Sequence, residues 1–262
     1  MIPVPVVCRS VSSAAALSVL FLSAMSVCQA AELQVPVSIA LRGAVGEMAT
    51  LFAKRTGHTA KVTPGEPGGI VAALKAGEHA DLVVLPNAAL PDLEDKGLVR
   101  RGRTALATTA FGMATRSNDP APDISTPEAL KAALLAAGKV IYNDPAVTAS
   151  GELLLRIAER LGVAEQIKAK SEVVVAGANI ATLSKDTSPG TVLALTVLVE
   201  VAGHPGAKLI GPLPKELQVA LPYSAVLGAR PVDEAAATAF LQMLAGPEAK
   251  QAYAAAGFEG EK

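Results

Sequence analysis

The sequence predicts an α/β protein of two lobes, each built from a mainly parallel sheet flanked by helices. Three observations carry this prediction. Short apolar strands alternate with segments of helical periodicity along most of the chain. Glycine follows predicted helices at Gly57, Gly77 and Gly97, as is usual at helix ends. Two longer apolar strands, residues 106–115 and 220–229, mirror each other and would connect the lobes as two hinge crossings.

Residues 1–30 are predicted to be a signal peptide that is not part of the fold. Arg9 is the only charged side chain there, residues 14–27 are apolar, and Cys28-Gln29-Ala30 supplies a cleavage pattern of small residues. The apolar segment is short for a membrane span and has no basic stop-transfer flank. A lipoprotein anchored at Cys28 is the second interpretation, and a retained anchor helix is the third.

Cleavage after Ala30 would remove both Cys8 and Cys28, so the mature chain is expected to contain neither a disulfide nor a thiolate metal site. The composition is 51% hydrophobic, which is enough for a core without disulfides. The chain has 23 basic and 24 acidic residues and 3% aromatic residues, which argues against nucleic acid as a partner. We expect a periplasmic monomer with no membrane span in the mature chain.

The first lobe is predicted to comprise residues 31–110 and 218–262, in which strands and helices alternate. Its predicted strands are 35–41, 59–63, 82–85, 106–115 and 220–229. Its predicted helices are 45–55, 70–76, 90–96, 233–245 and 247–256. Val45, Met48 and Phe52 recur at helical spacing in the first of these helices.

The second lobe, residues 111–217, is predicted to be inserted into the first. The strand 106–115 enters it and is predicted to break at Gly112. Thr126 as N-cap and Pro127 at the first position predict a helix over 129–137. The remaining predictions are strands at 139–142, 173–175 and 191–199, helices at 150–161 and 181–185, and an exit loop at 209–214. A helix is the alternative for 191–199.

The loop 64–69 is the most informative segment, because a turn rich in glycine opens the predicted helix 70–76. The first N–H groups of a helix lack partners within it, and glycines allow a ligand to approach them closely. The helix dipole adds to the attraction, so such a helix start binds anions. An ordinary glycine turn between strand and helix is the alternative interpretation.

Several short motifs occur in an order that is known from one family. They are Met48-Ala49-Thr50-Leu51-Phe52, Gly65-Glu66-Pro67-Gly68-Gly69, Ala80-Asp81-Leu82-Val83-Val84, Asp144-Pro145 with Ser150-Gly151, Asn179-Ile180 and Gly246-Pro247-Glu248-Ala249-Lys250. Over residues 33–258 the chain resembles the periplasmic molybdate-binding proteins of ABC importers, which have the type 2 periplasmic solute-binding fold. The resemblance implies an exported receptor that captures an oxyanion such as molybdate or tungstate between the lobes. It implies delivery to an ABC permease and no cofactor.

In that family, hydroxyls and backbone N–H groups at helix starts hold the oxyanion without a counter-charge. The resemblance implies ligand-binding positions at Ala40, Leu41, Arg42, Gly68, Gly69, Ser150, Ile180 and Thr196. Ala40 and Gly68 stand where the family has serines, and Thr196 stands near its tyrosine. The chain is therefore predicted to be a divergent member that relies on backbone donors.

Other polar residues leave alternatives open. The guanidinium of Arg42 suits a carboxylate or phosphate, so a small organic acid is the second predicted ligand. Ser150 is predicted to cap its helix, or alternatively to place its hydroxyl in the cleft. Thr148 is a weaker candidate for these roles. Glu200 is assigned either to hydrogen bonds near the hinge or to the surface. Asp81 is expected to fix the turn before its strand.

The sequence contains no recognisable catalytic motif. His58, His79 and His204 are isolated, and neither a metal-spaced cluster, a Gly-x-Ser-x-Gly elbow nor a Walker-type loop occurs. We therefore predict a binding protein without a metal site, not an enzyme. A periplasmic enzyme or regulatory partner on the same scaffold is the alternative.

Overall fold

The computed structural model describes residues 30–202 and 204–259. The predicted signal peptide, with Cys8 and Cys28, lies outside the described residues except for Ala30. None of the described helices combines the length and the apolar character that a membrane crossing requires.

Strands and helices alternate along the described chain, which confirms the predicted α/β class. The strands are β1 (Glu32–Ser38), β2 (Thr59–Gly65), β3 (Leu82–Pro86), β4 (Thr104–Arg116), β5 (Lys139–Asn143), β6 (Ser171–Val174), β7 (Val192–Val197), β8 (Ala207–Pro212) and β9 (Ala220–Leu227). The helices are α1 (Arg42–Thr56), α2 (Pro67–Lys75), α3 (Leu90–Asp95), α4 (Pro127–Ala136), α5 (Ala149–Arg160), α6 (Ala164–Lys168), α7 (Asn179–Lys185), α8 (Glu234–Leu244) and α9 (Pro247–Ala255).

The strands form one sheet in the order β2-β1-β3-β9-β4-β7-β5-β6, and β8 pairs with β4 outside this path. Pairings of β1 with β2 and β3, and of β5 with β6 and β7, are parallel. Pairings that involve β4 or β9 are antiparallel. Parallel neighbours need long crossover connections, which the helices between them supply.

Strand β4 changes partners along its length. Its residues 104–110 pair with β9, whereas residues 111–116 pair with β7 and β8. We call β1, β2, β3 and β9 the first section of the sheet and β5 to β8 the second section, with β4 common to both. The lobe boundaries at 110/111 and 217/218 stay a prediction.

Helices cover both faces of the first section. In β3, Leu82 and Val84 pack in the core cluster of α1, α8 and α9, whereas Val83 and Leu85 pack in that of α2 and α3. This burial on both sides explains why β3 is apolar throughout. In the second section, one core cluster includes residues of α4, α5 and α6, and another includes residues of α7.

Two local predictions are wrong. The segment 209–214 is not an exit loop, because Ala207–Pro212 pairs with β4 as strand β8. Gly112 does not break β4, which runs without interruption from Thr104 to Arg116. Gly112 instead permits a close approach, since an added Cβ would overlap the carbonyl oxygen of Gly211 and the side chain of Leu198.

Several boundaries shift in ways that affect the site. Helix α2 begins at Pro67, because a proline suits the first helical position. The predicted first strand ends at Ser38, and Ile39–Leu41 forms a 3₁₀ turn that leads into α1. The predicted strand 191–199 gives β7 followed by a 3₁₀ turn at Leu198–Glu200, which places Glu200 at the end of an apolar strand.

Candidate functional site

A cavity of about 690 Å³ lies between elements of the two sheet sections, and we call it the central cavity. The start of α2 and the loop and start of α5 both contribute to its lining. Its polar lining residues are Ser38, Glu66, Asp92, Asn143, Thr148, Ser150, Glu200 and Tyr223. No lysine, arginine or histidine occurs among the described residues that line it.

The start of α2 offers backbone donors to the central cavity. Glu66 is the N-cap, and the first backbone bond of the helix runs from the Ile70 N–H to the Glu66 carbonyl at 3.0 Å. The N–H groups of Gly68 and Gly69 therefore lack partners within the helix. Both glycines are exposed and line the cavity. These two amides are available to an anion, as the loop motif predicts.

The start of α5 presents a second set of donors. Thr148, not Ser150, is the N-cap, and its hydroxyl oxygen accepts from the Gly151 N–H at 3.2 Å. The prediction that Ser150 caps this helix is therefore wrong. The Ser150 hydroxyl instead accepts a hydrogen bond from the Asn143 amide at 3.3 Å, and Ser150 lines the cavity. The backbone N–H groups of Ala149 and Ser150 lack partners within the helix.

The two helix starts approach each other closely. A Cβ added to Gly68 would lie 3.5 Å from the Val147 carbonyl oxygen, in the loop before α5. An added Cβ at Gly177, just before α7, would overlap the Glu66 carboxyl group. The α2 start thus lies against two loops of the second section, and glycine at position 177 leaves room for Glu66.

Three carboxyl groups belong to the cavity lining, and of these Asp92 forms ion pairs with Lys75 and Lys96. The other two are Glu66 and Glu200. Burial raises the pKa of Glu66, whose Oε1 is buried and has no hydrogen-bond partner. Burial, reinforced by the charge of Glu66, raises the pKa of Glu200 from 4.5 to about 7. The Thr196 hydroxyl donates to Glu200 at 3.3 Å, and the charge of Arg42 also favours the ionised form. The pair therefore holds a proton more readily than exposed glutamates do.

Further polar groups complete the lining. Tyr223 of β9 is buried, and burial raises the pKa of its hydroxyl far above the ordinary value. It therefore stays a hydrogen-bond donor at neutral pH. Asn143, at the end of β5, has a buried Oδ1 without a hydrogen-bond partner. Such groups commonly mark a place where a ligand or water completes the bonding.

The predicted site residues separate into two sets. Gly68, Gly69 and Ser150 line the central cavity. The other predicted positions, Ala40, Leu41, Arg42, Ile180 and Thr196, lie outside the lining. Leu41 and Ile180 are buried in core clusters, and Ala40 packs against the same core as Leu41. Arg42 is exposed and donates to the Ile39 carbonyl at 3.3 Å, and Thr196 is buried beneath Glu200.

Glu66 and Tyr223 were not predicted from the sequence as site residues, and the role of Glu200 was left open between two alternatives. A signal for Glu66 existed, since it lies two residues before the paired glycines of a helix start that is suited to anions. Glu200 follows an apolar strand, which is an unusual position for a surface glutamate. Tyr223 lies within a predicted strand, where nothing distinguishes it from a core residue.

Glu200→Gln is expected to raise the free energy of unfolding by about 1 to 3 kcal/mol at about pH 8, with no change at about pH 4. The folded pKa of about 7 lies above the ordinary 4.5, so the folded state keeps a proton that the unfolded chain releases. The stabilising contribution of Glu200 is therefore complete below pH 4.5 and is lost as pH rises through 7. Urea unfolding at both pH values measures it.

The exposed Glu47 of α1 provides the control, because Glu47→Gln should change the unfolding free energy equally little at both pH values. A gain for Glu200→Gln that is the same at both pH values would contradict the raised pKa.

Comparison with known proteins supports the fold and identifies the family. The model of the family "Bacterial extracellular solute-binding protein" matches residues 33–259. The chain is 29% identical over 226 residues to an aconitate isomerase of Pseudomonas sp, covering 84% of each protein.

Two solved structures illustrate the shared fold. The periplasmic molybdate-binding protein of Azotobacter vinelandii aligns with a TM-score of 0.70 and 18% identity, over 88% of this chain and all of the other. PEB3 of Campylobacter jejuni, solved with bound L-phospholactate, aligns with a TM-score of 0.68 and 15% identity, over 87% and 100%. Similarity at this level of identity extends to the fold, and it confirms the predicted type 2 periplasmic-binding-protein architecture. The chain therefore belongs to the family of bacterial extracellular solute-binding proteins.

Proposed function

We propose that this chain is an exported receptor that captures a small anion in the central cavity and delivers it to an ABC permease. Residues 1–30 would direct export to the periplasm and be removed there. The family assignment supports a role in solute binding outside the cytoplasm. The observation that carries the proposal is that the starts of α2 and α5 both line the central cavity.

The donors favour an anion held by hydrogen bonds and helix dipoles. Gly68 and Gly69 of α2 and Ala149 and Ser150 of α5 offer N–H groups that the helices leave unpaired. Lysine and arginine are missing from the described lining, while Lys75 and Lys96 form ion pairs with the lining residue Asp92. Arg42 acts from outside the lining, through its charge on Glu200.

Within this proposal, a small organic acid is a better ligand than a molybdate-like or tungstate-like oxyanion. A volume of about 690 Å³ is within the range of pockets that enclose organic ligands. Glu66 and Glu200, when ionised, would repel organic and inorganic anions alike, so charge repulsion does not separate the two classes of ligand. When protonated, each could donate a hydrogen bond to a carboxylate. PEB3 with bound L-phospholactate is a precedent for an organic anion on this fold.

Calorimetry with aconitate, succinate, molybdate, tungstate and sulfate tests the ligand class. We expect aconitate to bind, with affinity that increases as pH falls towards the pKa of Glu200, and the inorganic anions to bind at least about tenfold more weakly. Binding of molybdate or tungstate in preference to every carboxylate would restore the oxyanion hypothesis. Failure of every anion to bind would refute the proposal that the chain is an anion receptor.

A proline at the first position of α5 tests whether its amides hold the ligand. Ala149→Pro removes the backbone N–H of a residue that lines the cavity, and the extended backbone of Thr148 (φ −132°, ψ 136°) accommodates a following proline. We expect affinity to fall about tenfold or more, since hydrogen bonds to charged groups are worth about 1.5–3 kcal/mol.

The matched control is Glu234→Pro at the first position of α8, where Asp233 is also extended (φ −139°, ψ 105°). It lies outside the cavity lining and should leave affinity unchanged. Equal affinities for Ala149→Pro and the wild type, with both folded, would remove the α5 start from the binding site.

Isomerisation of an unsaturated organic acid such as aconitate is the second candidate function. The observation that favours it is the carboxyl pair, because a glutamate with a pKa of about 7 is suited to proton transfer at neutral pH. The aconitate isomerase of Pseudomonas sp supports the same substrate class. Proton NMR of aconitate incubated with the protein would detect the change of isomer.

A further inference from the structure

We propose that Asn143 and Ser150 form a subsite of the central cavity that selects an organic acid with a hydroxyl group on the carbon next to its carboxylate. The inference rests on the proposed binding of an organic acid and narrows the chemical class of that ligand. Two observations carry it, namely a buried amide oxygen without a partner and a buried serine hydroxyl that donates to no group within the described residues.

Asn143 is a buried polar residue at a cavity wall. It ends β5 and is 4% exposed, and it lines the central cavity. Its backbone carbonyl oxygen would overlap a Cβ added to Gly151, so the end of β5 is held directly against the first turn of α5. The side-chain Nδ2 donates to Ser150 Oγ at 3.3 Å, whereas Oδ1 is buried without a partner. A buried acceptor in this state is costly, which favours a ligand that donates to it.

The Ser150 hydroxyl complements that oxygen. Ser150 is 8% exposed, and its Oγ accepts from Asn143, while its own hydrogen has no acceptor within the described residues. The nearby Thr148 differs, because its hydroxyl donates to the Asp144 carbonyl at 2.7 Å and accepts from the Gly151 N–H at 3.2 Å. The Asn143–Ser150 pair therefore offers the ligand one acceptor and one donor. Rotation of the amide by 180° would exchange these roles and still leave both kinds of group.

A hydroxyl group on the ligand satisfies both members of the Asn143–Ser150 pair. A hydroxyl donates and accepts, whereas a keto oxygen only accepts and an ammonium group only donates. A ligand with hydrogen alone on that carbon would do neither and would leave the buried amide oxygen without a partner. The pair therefore favours a hydroxy acid over the corresponding keto, amino or unsubstituted acid.

The position of the hydroxyl group on the ligand follows from the covalent structure of Ser150. The backbone nitrogen of Ser150 is one of the donors that α5 leaves unpaired, and three bonds separate it from Oγ of the same residue. Three bonds likewise separate a carboxylate oxygen of a 2-hydroxy acid from its hydroxyl oxygen. A carboxylate bound at the Ser150 amide would thus bring a 2-hydroxyl group within reach of the Asn143–Ser150 pair.

Calorimetry with malate and succinate tests the preference, since these acids differ only by the 2-hydroxyl group. Citrate with tricarballylate and lactate with propionate are two further pairs, and both enantiomers of malate and lactate are measured. We expect the hydroxy acid to bind at least about tenfold more tightly than its partner in every pair that binds. Aspartate and oxaloacetate, which carry an ammonium or a keto group at the same carbon, should bind more weakly than malate.

Ser150→Ala and Asn143→Leu test the subsite, because the first keeps the backbone N–H and the second keeps about the same side-chain size. In each variant the best-bound hydroxy acid should weaken about tenfold, and its unsubstituted partner by less than about threefold. A general disturbance of the fold would weaken both acids equally. The double variant leaves neither polar group unpaired, so it should unfold cooperatively and lose the same preference.

Ser171→Ala is the matched control. The Ser171 hydroxyl is partly buried and donates to the Ile167 carbonyl at 2.7 Å, and Ser171 lies outside the cavity lining. This variant should keep the affinities of the wild type for both acids of each pair.

The outcomes distinguish this inference from the receptor proposal. Binding of organic acids without a preference for the hydroxyl group, or with a preference that survives in both Ser150→Ala and Asn143→Leu, would overturn the inference and leave the receptor intact. Binding of inorganic oxyanions alone would overturn the inference together with the organic-acid class of ligand. Failure of every anion to bind would overturn both proposals.

Discussion

Replacing Asp81 with alanine is expected to lower the free energy of unfolding by about 3 to 5 kcal/mol. The Asp81 side chain is fully buried at the start of β3. Its Oδ2 accepts from the Gln34 N–H of β1 at 2.6 Å, and its Oδ1 accepts from the Val232 N–H before α8 at 2.6 Å. His79 lies 3.0 Å from Oδ1. Without the carboxylate, two buried N–H groups lose their partner, and each costs about 1–3 kcal/mol.

Urea unfolding measures the loss, and Asp95→Ala is the control. Asp95 is 73% exposed and pairs only with Arg101 at the surface, so its removal should cost less than about 1 kcal/mol. Asp81→Asn keeps one acceptor oxygen, so its loss of unfolding free energy should lie between those of Asp81→Ala and Asp95→Ala. The expectation that Asp81 fixes the preceding turn is thus too narrow, because the carboxylate also joins segments 151 residues apart. A loss below about 1 kcal/mol for Asp81→Ala would contradict this role.

Gly151→Ala is expected to cost about 2 to 3 kcal/mol of stability and to abolish anion binding in the central cavity. The glycine is buried in the first turn of α5, where an added Cβ would overlap the Asn143 carbonyl oxygen and lie 2.8 Å from the Pro145 nitrogen. Both obstacles are backbone atoms, so neither can move like a side chain. The start of α5 would have to shift away from β5, and the Ala149 and Ser150 amides would shift with it.

Gly46→Ala is the matched control within α1. Nothing lies within 4 Å of an added Cβ at that position, so alanine should stabilise the helix by about 0.5–1 kcal/mol. Thermal unfolding and calorimetry with the best-bound anion measure both variants. Equal stability of Gly151→Ala and the wild type would mean that α5 does not need its close approach to β5.

Local chemistry made much of the fold predictable from the sequence. The Thr126 hydroxyl caps α4 at Ala129 as expected, and glycines with positive φ terminate segments at Gly57, Gly77 and Gly97. These capping signals act within a few residues, so a short segment of sequence is enough to predict where a helix begins or ends. The starts of α2 and α5 belong to the same class, which is why Gly68, Gly69 and Ser150 could be placed at a site.

What escaped prediction depends on contacts between distant segments. Strand β8 contains glycine and proline and resembles a loop, but β4 supplies its partner about 95 residues earlier. Glu66 and Glu200 are 134 residues apart in the sequence, and only packing brings both of them to one cavity. The N-cap of α5 was assigned to Ser150 instead of Thr148, because two hydroxyl residues so close in sequence give the same local capping signal.

The uninterrupted course of β4 governs how the two sections can move. The pairing of β4 with β9 is followed directly by its pairing with β7 and β8. The two sections are therefore joined by one hydrogen-bonded strand and not by a flexible linker. A change in the gap between the sections would therefore alter the twist of β4 near Ala110 and Phe111, where its partners change.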